Sequence, residues 1–150
     1  MARRFQFRLQ TLLRVRQSEE QQAKRRVAAR RAEIAQLDHL NRQTADEILR
    51  QQEALLREQR QGRLDPGALQ RGRAWVAYLR RQIAQRHLQR AELERGLQEL
   101  RAAWQHARTR MRAVETLRAR RHAAYLKQRE RQEQAAADEL ARQLLGYEQL

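Results

Sequence analysis

The residues that could do chemistry are few and badly spaced for it. The sequence holds four histidines, His39, His87, His106 and His122, and no two of them lie four residues apart. Two imidazoles need that spacing to share a metal from one helix face. Cysteine is absent, so there is no thiolate nucleophile, thiolate metal site or disulfide frame, which suits a reducing compartment. No phosphate-cradling glycine loop and no strained serine elbow occurs. Carboxylates are plentiful, but the pattern around them is that of long helices without a pocket that could shift a pKa, so they read as solvated ion-pairing faces. The sequence therefore points away from an enzyme. No catalytic, cofactor-binding or metal-binding residue is assigned, and no cofactor is expected.

What remains is positive charge and a few aromatic rings. The chain has 33 Lys and Arg against 18 Asp and Glu, a formal net charge of +15, and its only lysines are Lys24 and Lys127. Charge of that size raises nucleic acid, anionic lipid and acidic protein as partners. Aromatic residues make up 5% of the chain, too few for a large globular core. Ala, Leu, Arg, Gln and Glu dominate, as in long helices and coiled coils. Disorder would suit so polar a chain, but a disordered chain lacks regularly spaced leucines. No run approaches the roughly 20 apolar residues of a membrane span, and none resembles a signal-peptide core.

One stretch interrupts the helical pattern, Gly62 to Leu69 (GRLDPGAL). Gly62 suits the position just past a helix end, and Asp65 before Pro66 suits an N-cap with proline at the first helical position. The expected fold is all-α: a long two-helix antiparallel coiled coil. Helix one covers about 9–61, the turn 62–68 and helix two about 69–145, forming one elongated domain over 1–150. Steps of seven along helix one give Leu13, Glu20, Val27, Ile34, Asn41, Ile48 and Leu55, with Leu9, Ala23 and Leu37 beside them. Asn41 either fixes register or is a solvated flaw. Alternating steps of three and four along helix two run from Leu69 through Gly72, Val76, Leu79, Ile83, Arg86, Arg90, Leu93, Leu97, Leu100, Trp104, Ala107 and Met111 to Val114. Eleven of these fourteen are apolar, far above chance. Arg86 and Arg90 read as a slip, with Leu88 taking over. Gly96 is tolerated within the helix.

A tight turn makes the helices antiparallel, so residues equidistant from about 64 face each other and Leu9 lies opposite about 119. Nothing is left to pair with residues beyond about 125, so helix two overhangs at the terminal end. At 1.5 Å per residue helix one alone is about 80 Å long, which predicts a rod. Residues 1–32 and residues 101–131 each carry +8, the middle of the chain +2 and residues 132–150 −3. Antiparallel folding gathers the two basic stretches at the tip that holds the N-terminus.

The rings fall at three places. Trp75 and Tyr78 flank the seam just after the turn, beside Leu79, and read either as packing over the turn or as a docking patch. Trp104 lies in the seam and reads as core. Tyr125 and Leu126 fall where the partner helix has run out, and are either a helix-in-groove or ring contact or a chance exposure. The opening stretch, Arg4 to Ala23, has periodicity that continues unbroken into Val27 and Ile34. That fits a folded helix better than a presequence or a membrane-surface helix. Phe5 and Phe7 fall just outside the coil, on the basic tip. Nucleic acid is the alternative partner, but the chain has no zinc finger, RNA-recognition or homeodomain signature, and an antiparallel pair does not fork across a groove.

These residues line up with a known pattern. The opening FQFRLQTLLRVRQSEEQQA, the WVAYLRRQI after the turn and the late VETLRARRHAAYLKQRERQEQAAADELA, in this order and spacing, resemble the FliJ family of flagellar type III export proteins. The resemblance covers nearly the whole chain. The stalk proteins of YscO type from virulence secretion systems share the architecture, so a non-flagellar secretion stalk is a second alternative. The resemblance implies a stalk-like coiled coil in the cytoplasm, peripheral at the inner face of the bacterial membrane through its partners. It implies that the terminal tip enters the ring of a FliI-like export ATPase, with Phe5, Phe7, Arg8, Leu12, Arg120, Arg121, Tyr125 and Leu126 facing it. It further implies that Trp75, Tyr78 and Leu79 lie near a FlhA-like export gate, and that export chaperones are handled by contact.

Overall fold

The backbone explains where the helical pattern stops. Gly62 adopts φ of 69°, the left-handed region where a side chain would crowd the following carbonyl. Its N–H donates to Gln59 O at 3.2 Å, and the N–H of Arg63 donates to Glu58 O at 3.1 Å. Together these two bonds form a Schellman closure. Beyond the turn, the Leu69 N–H donates to Asp65 O at 3.1 Å as the first bond of the next helix. Pro66, which has no N–H to leave unpaired, opens that helix.

The computed structural model describes residues 3–63 and 65–149. Two helices make it up, α1 (Gln10–Arg60) and α2 (Pro66–Glu148), packed against each other as an all-α hairpin coiled coil. The connection is shorter than the expected 62–68, because proline is admitted at the first helical position. Leu64, the expected centre of the turn, lies outside the described residues. By contacts the chain divides into two compact units, Gln22–Trp104 and a second made of Met1–Gln21 with Gln105–Leu150.

In the unit Gln22–Trp104 the seven-residue line of α1 is the buried line. Val27, Ile34, Asn41 and Ile48 are buried, and Leu55 is half-buried. From α2 come Gly72, Val76, Leu79 and Leu97. Val27, Ile34 and Leu97 form one cluster, with Leu93, Leu100 and Trp104 packed against it. Ile48, Val76 and Leu79 form another, with Ile83 beside them. Each buried aliphatic side chain contributes about 2 kcal/mol by leaving water. At Gly72 the helices approach so closely that a Cβ would lie 2.8 Å from Leu55 Cδ1.

Between the two clusters the seam is polar, and here the structure corrects the sequence reading. Leu88 does not take over from the arginines; it is 71% exposed. Arg86 and Arg90 keep the register, because an arginine can lay its stem in the seam and carry its charge outward. Arg86 Nη1 donates to Thr44 Oγ1 at 2.7 Å. Arg90 Nε donates to Asp38 Oδ1 at 2.7 Å, and its Nη1 to Glu94 Oε1 at 2.7 Å. The Asp38 hydrogen bond raises the Arg90 pKa further above its ordinary value. Asn41 is buried with neither amide atom hydrogen-bonded among the described residues, so it is not a solvated flaw. The pairs Asp38–Arg90, Thr44–Arg86 and Leu55–Gly72 all straddle a midpoint between residues 63 and 65, the expected register.

In the other unit Leu13, Phe7 and Glu20 are buried. On α2 Ala107, Met111, Val114, Leu117 and Tyr125 are half-buried, again at steps of three and four, with one step of eight before Tyr125. From Leu126 through Gln149 every residue is exposed, so α2 overhangs as expected.

Candidate functional site

The N-terminal residues do more than lead into α1. The N–H of Leu13 donates to Leu9 O at 2.9 Å and that of Gln10 to Phe7 O at 3.1 Å, so the helix begins at Gln10 and residues 3–7 are free of it. That short non-helical segment packs on α2. Phe7 is 8% exposed, with the Arg121 guanidinium over its ring at 5.8 Å. A cation there meets the negative face of the ring. Phe5 is half-buried; its ring stands edge-on to His122 with centroids 4.8 Å apart and tilts against Tyr125 at 5.5 Å. The Tyr125 hydroxyl donates to Arg3 O, and so ties the start of the segment to α2.

These contacts build an open cleft of about 770 Å³ lined by Arg3, Arg4, Arg121 and Arg129, by Gln6, Gln128 and Gln132, and by Phe5 and Tyr125. No acid lines it. Arg129 is held by Glu133 at 3.1 Å on its own helix. With three of its four guanidinium groups in no ion pair among the described residues, the cleft can take carboxylates or other anions by charge-assisted hydrogen bonds.

The expected tip residues fall out unevenly. Phe5 and Tyr125 are brought together. Arg8, Arg120 and Arg121 are exposed nearby, Leu12 is half-buried, and Leu126 is 48% exposed. Phe7 does not lie outside the coil; its ring is buried, with Arg121 of α2 over it. Tyr125 is not beyond the reach of a partner, because the chain before α1 continues along α2 in the same register. His122 was missed as a packing residue. The signal for it was available, since position 122 mirrors Phe5 about residue 64, but the pairing was stopped at Leu9, where helical periodicity begins.

Near the turn, Trp75 and Tyr78 stack on the outside of α2 with centroids 5.4 Å apart and planes at 23°, and they stay 45% and 43% exposed. Leu79 is 8% exposed within the Ile48–Val76 cluster, so it offers a partner no surface; its position is fixed by the three-and-four seam. No group of three His, Cys, Asp or Glu among the described residues could hold a metal ion. Among the described residues no helix is long and apolar enough to cross a membrane.

The fold and these surfaces define a helical-hairpin coiled coil that presents an arginine-lined cleft and a stacked aromatic pair. The sequence model of the flagellar FliJ protein matches residues 5–149, and the chain belongs to the FliJ family. That membership associates it with flagellar protein export and its apparatus. No curated protein and no solved structure matches the chain.

Proposed function

We propose that the chain is a non-catalytic export component whose arginine cleft docks on a FliI-like export ATPase ring. Its Trp75–Tyr78 pair then meets a FlhA-like export gate, and ring and gate are coupled through the protein. The observation that carries this is the cleft itself: Arg3, Arg4 and Arg121 converge beside Phe5 and Tyr125 without an acid among them. Such a surface fits an acidic, partly apolar protein lining, because bidentate arginine–carboxylate pairs supply orientation as well as attraction. Phe5, Arg8, Leu12, Arg120, Arg121, Tyr125 and Leu126 are the residues on the ATPase side. Trp75 and Tyr78 are those on the gate side. Handling of export chaperones, and a peripheral position at the inner face of the membrane, follow from those contacts.

The test is ATP hydrolysis by the cognate ATPase with and without this chain. Wild type should raise turnover or ring assembly, and Arg121→Glu with Arg4→Glu should abolish the effect while circular dichroism stays unchanged. Stimulation that survives the double charge reversal would sink the proposal.

A further inference from the structure

Three positive charges in the cleft at the start of the chain meet no acid. In the unit Gln22–Trp104 the seam arginines have acceptors: Arg86 donates to Thr44, and Arg90 to Asp38 and Glu94. In the cleft only Arg129 has one, Glu133. Arg3, Arg4 and Arg121 are in no ion pair among the described residues, and no acid lines the cleft. Gathered like charges repel, and a bound anion relieves that repulsion. The groups are also held in place. Arg121 lies over the Phe7 ring at 5.8 Å, a contact that leaves its N–H donors for hydrogen bonds. The Tyr125 hydroxyl donates to Arg3 O and so fixes the backbone that carries Arg3 and Arg4.

The rest of the cleft has a different chemistry. Tyr125, Gln128 and Gln132 follow Arg121 at steps of four, three and four, so all four share one face of α2. Phe5 and Tyr125 line the cleft and are half-buried, so part of each ring remains open. An aromatic ring is a surface on which a nucleobase stacks. A glutamine amide both donates and accepts, as the edge of a base requires. One carboxylate engages one guanidinium, whereas a chain of phosphates engages several, each by paired hydrogen bonds. The volume of about 770 Å³ lies within the range of small-molecule sites, about 300–1,000 Å³.

We propose that the arginine cleft binds a nucleoside triphosphate. Its phosphates lie on Arg3, Arg4 and Arg121, its base rests against Phe5 and Tyr125, and Gln128 and Gln132 hydrogen-bond the base edge. No covalent step is involved. The three arginines are exposed, so each phosphate contact is partly screened by water and salt, and the affinity is modest. Nucleotide in the cleft occupies the guanidinium groups that a protein carboxylate would take. Free nucleotide and the ATPase ring therefore compete for this end of the protein. That last step rests on the function proposed above; nucleotide binding itself does not.

The test titrates the full-length chain, with no ATPase present, by calorimetry at about 0.15 M salt. The probes are ATP, inorganic triphosphate and adenosine. ATP should bind with a Kd on the order of 0.1 mM, triphosphate about tenfold more weakly, and adenosine without measurable heat. Arg4→Gln and Arg121→Gln should each weaken ATP binding about tenfold, the loss of one charge-assisted pair. Because Arg121→Gln also removes the cation over Phe7, a second variant leaves that packing alone. Gln128→Ala with Gln132→Ala changes two exposed side chains to the best helix former, so the fold is kept. It should weaken ATP binding severalfold and leave triphosphate binding unchanged. Arg14→Gln with Arg110→Gln removes two exposed charges from the same unit, outside the cleft, and should alter neither. No binding of ATP at about 1 mM, triphosphate binding as tightly as ATP, or an equal loss from the Arg14 and Arg110 pair would each overturn the proposal. Since the ATPase is absent, such a failure is distinct from a failure of the docking test above.

Discussion

Asn41→Leu should make the protein more stable, against the usual direction of a buried substitution. Asn41 occupies a seam position on α1, is 8% exposed and has neither Oδ1 nor Nδ2 hydrogen-bonded among the described residues. An unsatisfied buried amide costs about 1–3 kcal/mol. Leucine has the same number of heavy atoms and the same branching; it removes that cost, and its two methyl groups in place of the amide atoms add apolar burial worth about 0.8 kcal/mol. Strain from the extra volume offsets about 1 kcal/mol. The net gain is about 2 kcal/mol, which for a chain of this size raises Tm by about 4–8 °C. Thermal unfolding followed at 222 nm, with a urea titration beside it, measures this directly. Asn41→Ala is the control: it also removes the amide but leaves a small void, so its Tm should stay near that of wild type. The reasoning is refuted if Asn41→Leu lowers Tm, since the amide would then be making bonds that stabilise the native state. The gain in stability comes with a loss of register specificity, because a single polar seam residue disfavours slipped pairings.

Three further outcomes test the rest of the reading. Leu97→Ala, at a site 6% exposed, should cost about 2–4 kcal/mol in a urea titration, whereas Leu88→Ala, at 71% exposed, should stay within about 0.5 kcal/mol. Gly62→Ala should cost about 1 kcal/mol from backbone strain alone, as its φ is 69° and nothing lies within 4 Å of an added Cβ. Gly146→Ala, with equal space and no such φ, should slightly raise helicity by circular dichroism. Trp75→Ala with Tyr78→Ala should leave the urea midpoint nearly unchanged yet weaken binding to the cytoplasmic part of the export gate, measured by calorimetry. Leu79→Ala should instead lower the midpoint.

Much of this protein was legible in the residues. The seven-residue line from Leu13 to Leu55 and the three-and-four line from Leu69 to Val114 proved to be the lines of least exposure, because burial along a helix follows its period. Gly62, Asp65 and Pro66 marked the turn by their backbone preferences. Arg86 and Arg90 were misread because a hydropathy pattern scores an arginine as one polar residue, although its stem and its charge occupy different places. Leu79 and Phe7 are buried, which the pattern does not reveal, because an aromatic or leucine beside an exposed patch looks the same in sequence as one beneath it.

The sequence by itself determined the hairpin, its register and the charge of each stretch, since these depend on spacing and on the chirality of the backbone alone. Only the tertiary structure decided what the first residues do. Residues 3–7 have no period to read, and what fixes them is the meeting of Phe5 with His122, Phe7 with Arg121 and Arg3 with Tyr125 across more than a hundred residues of chain. Such contacts arise from the shape of a surface already formed by α2. For that reason the arginine cleft appears in the folded molecule and nowhere in the local pattern.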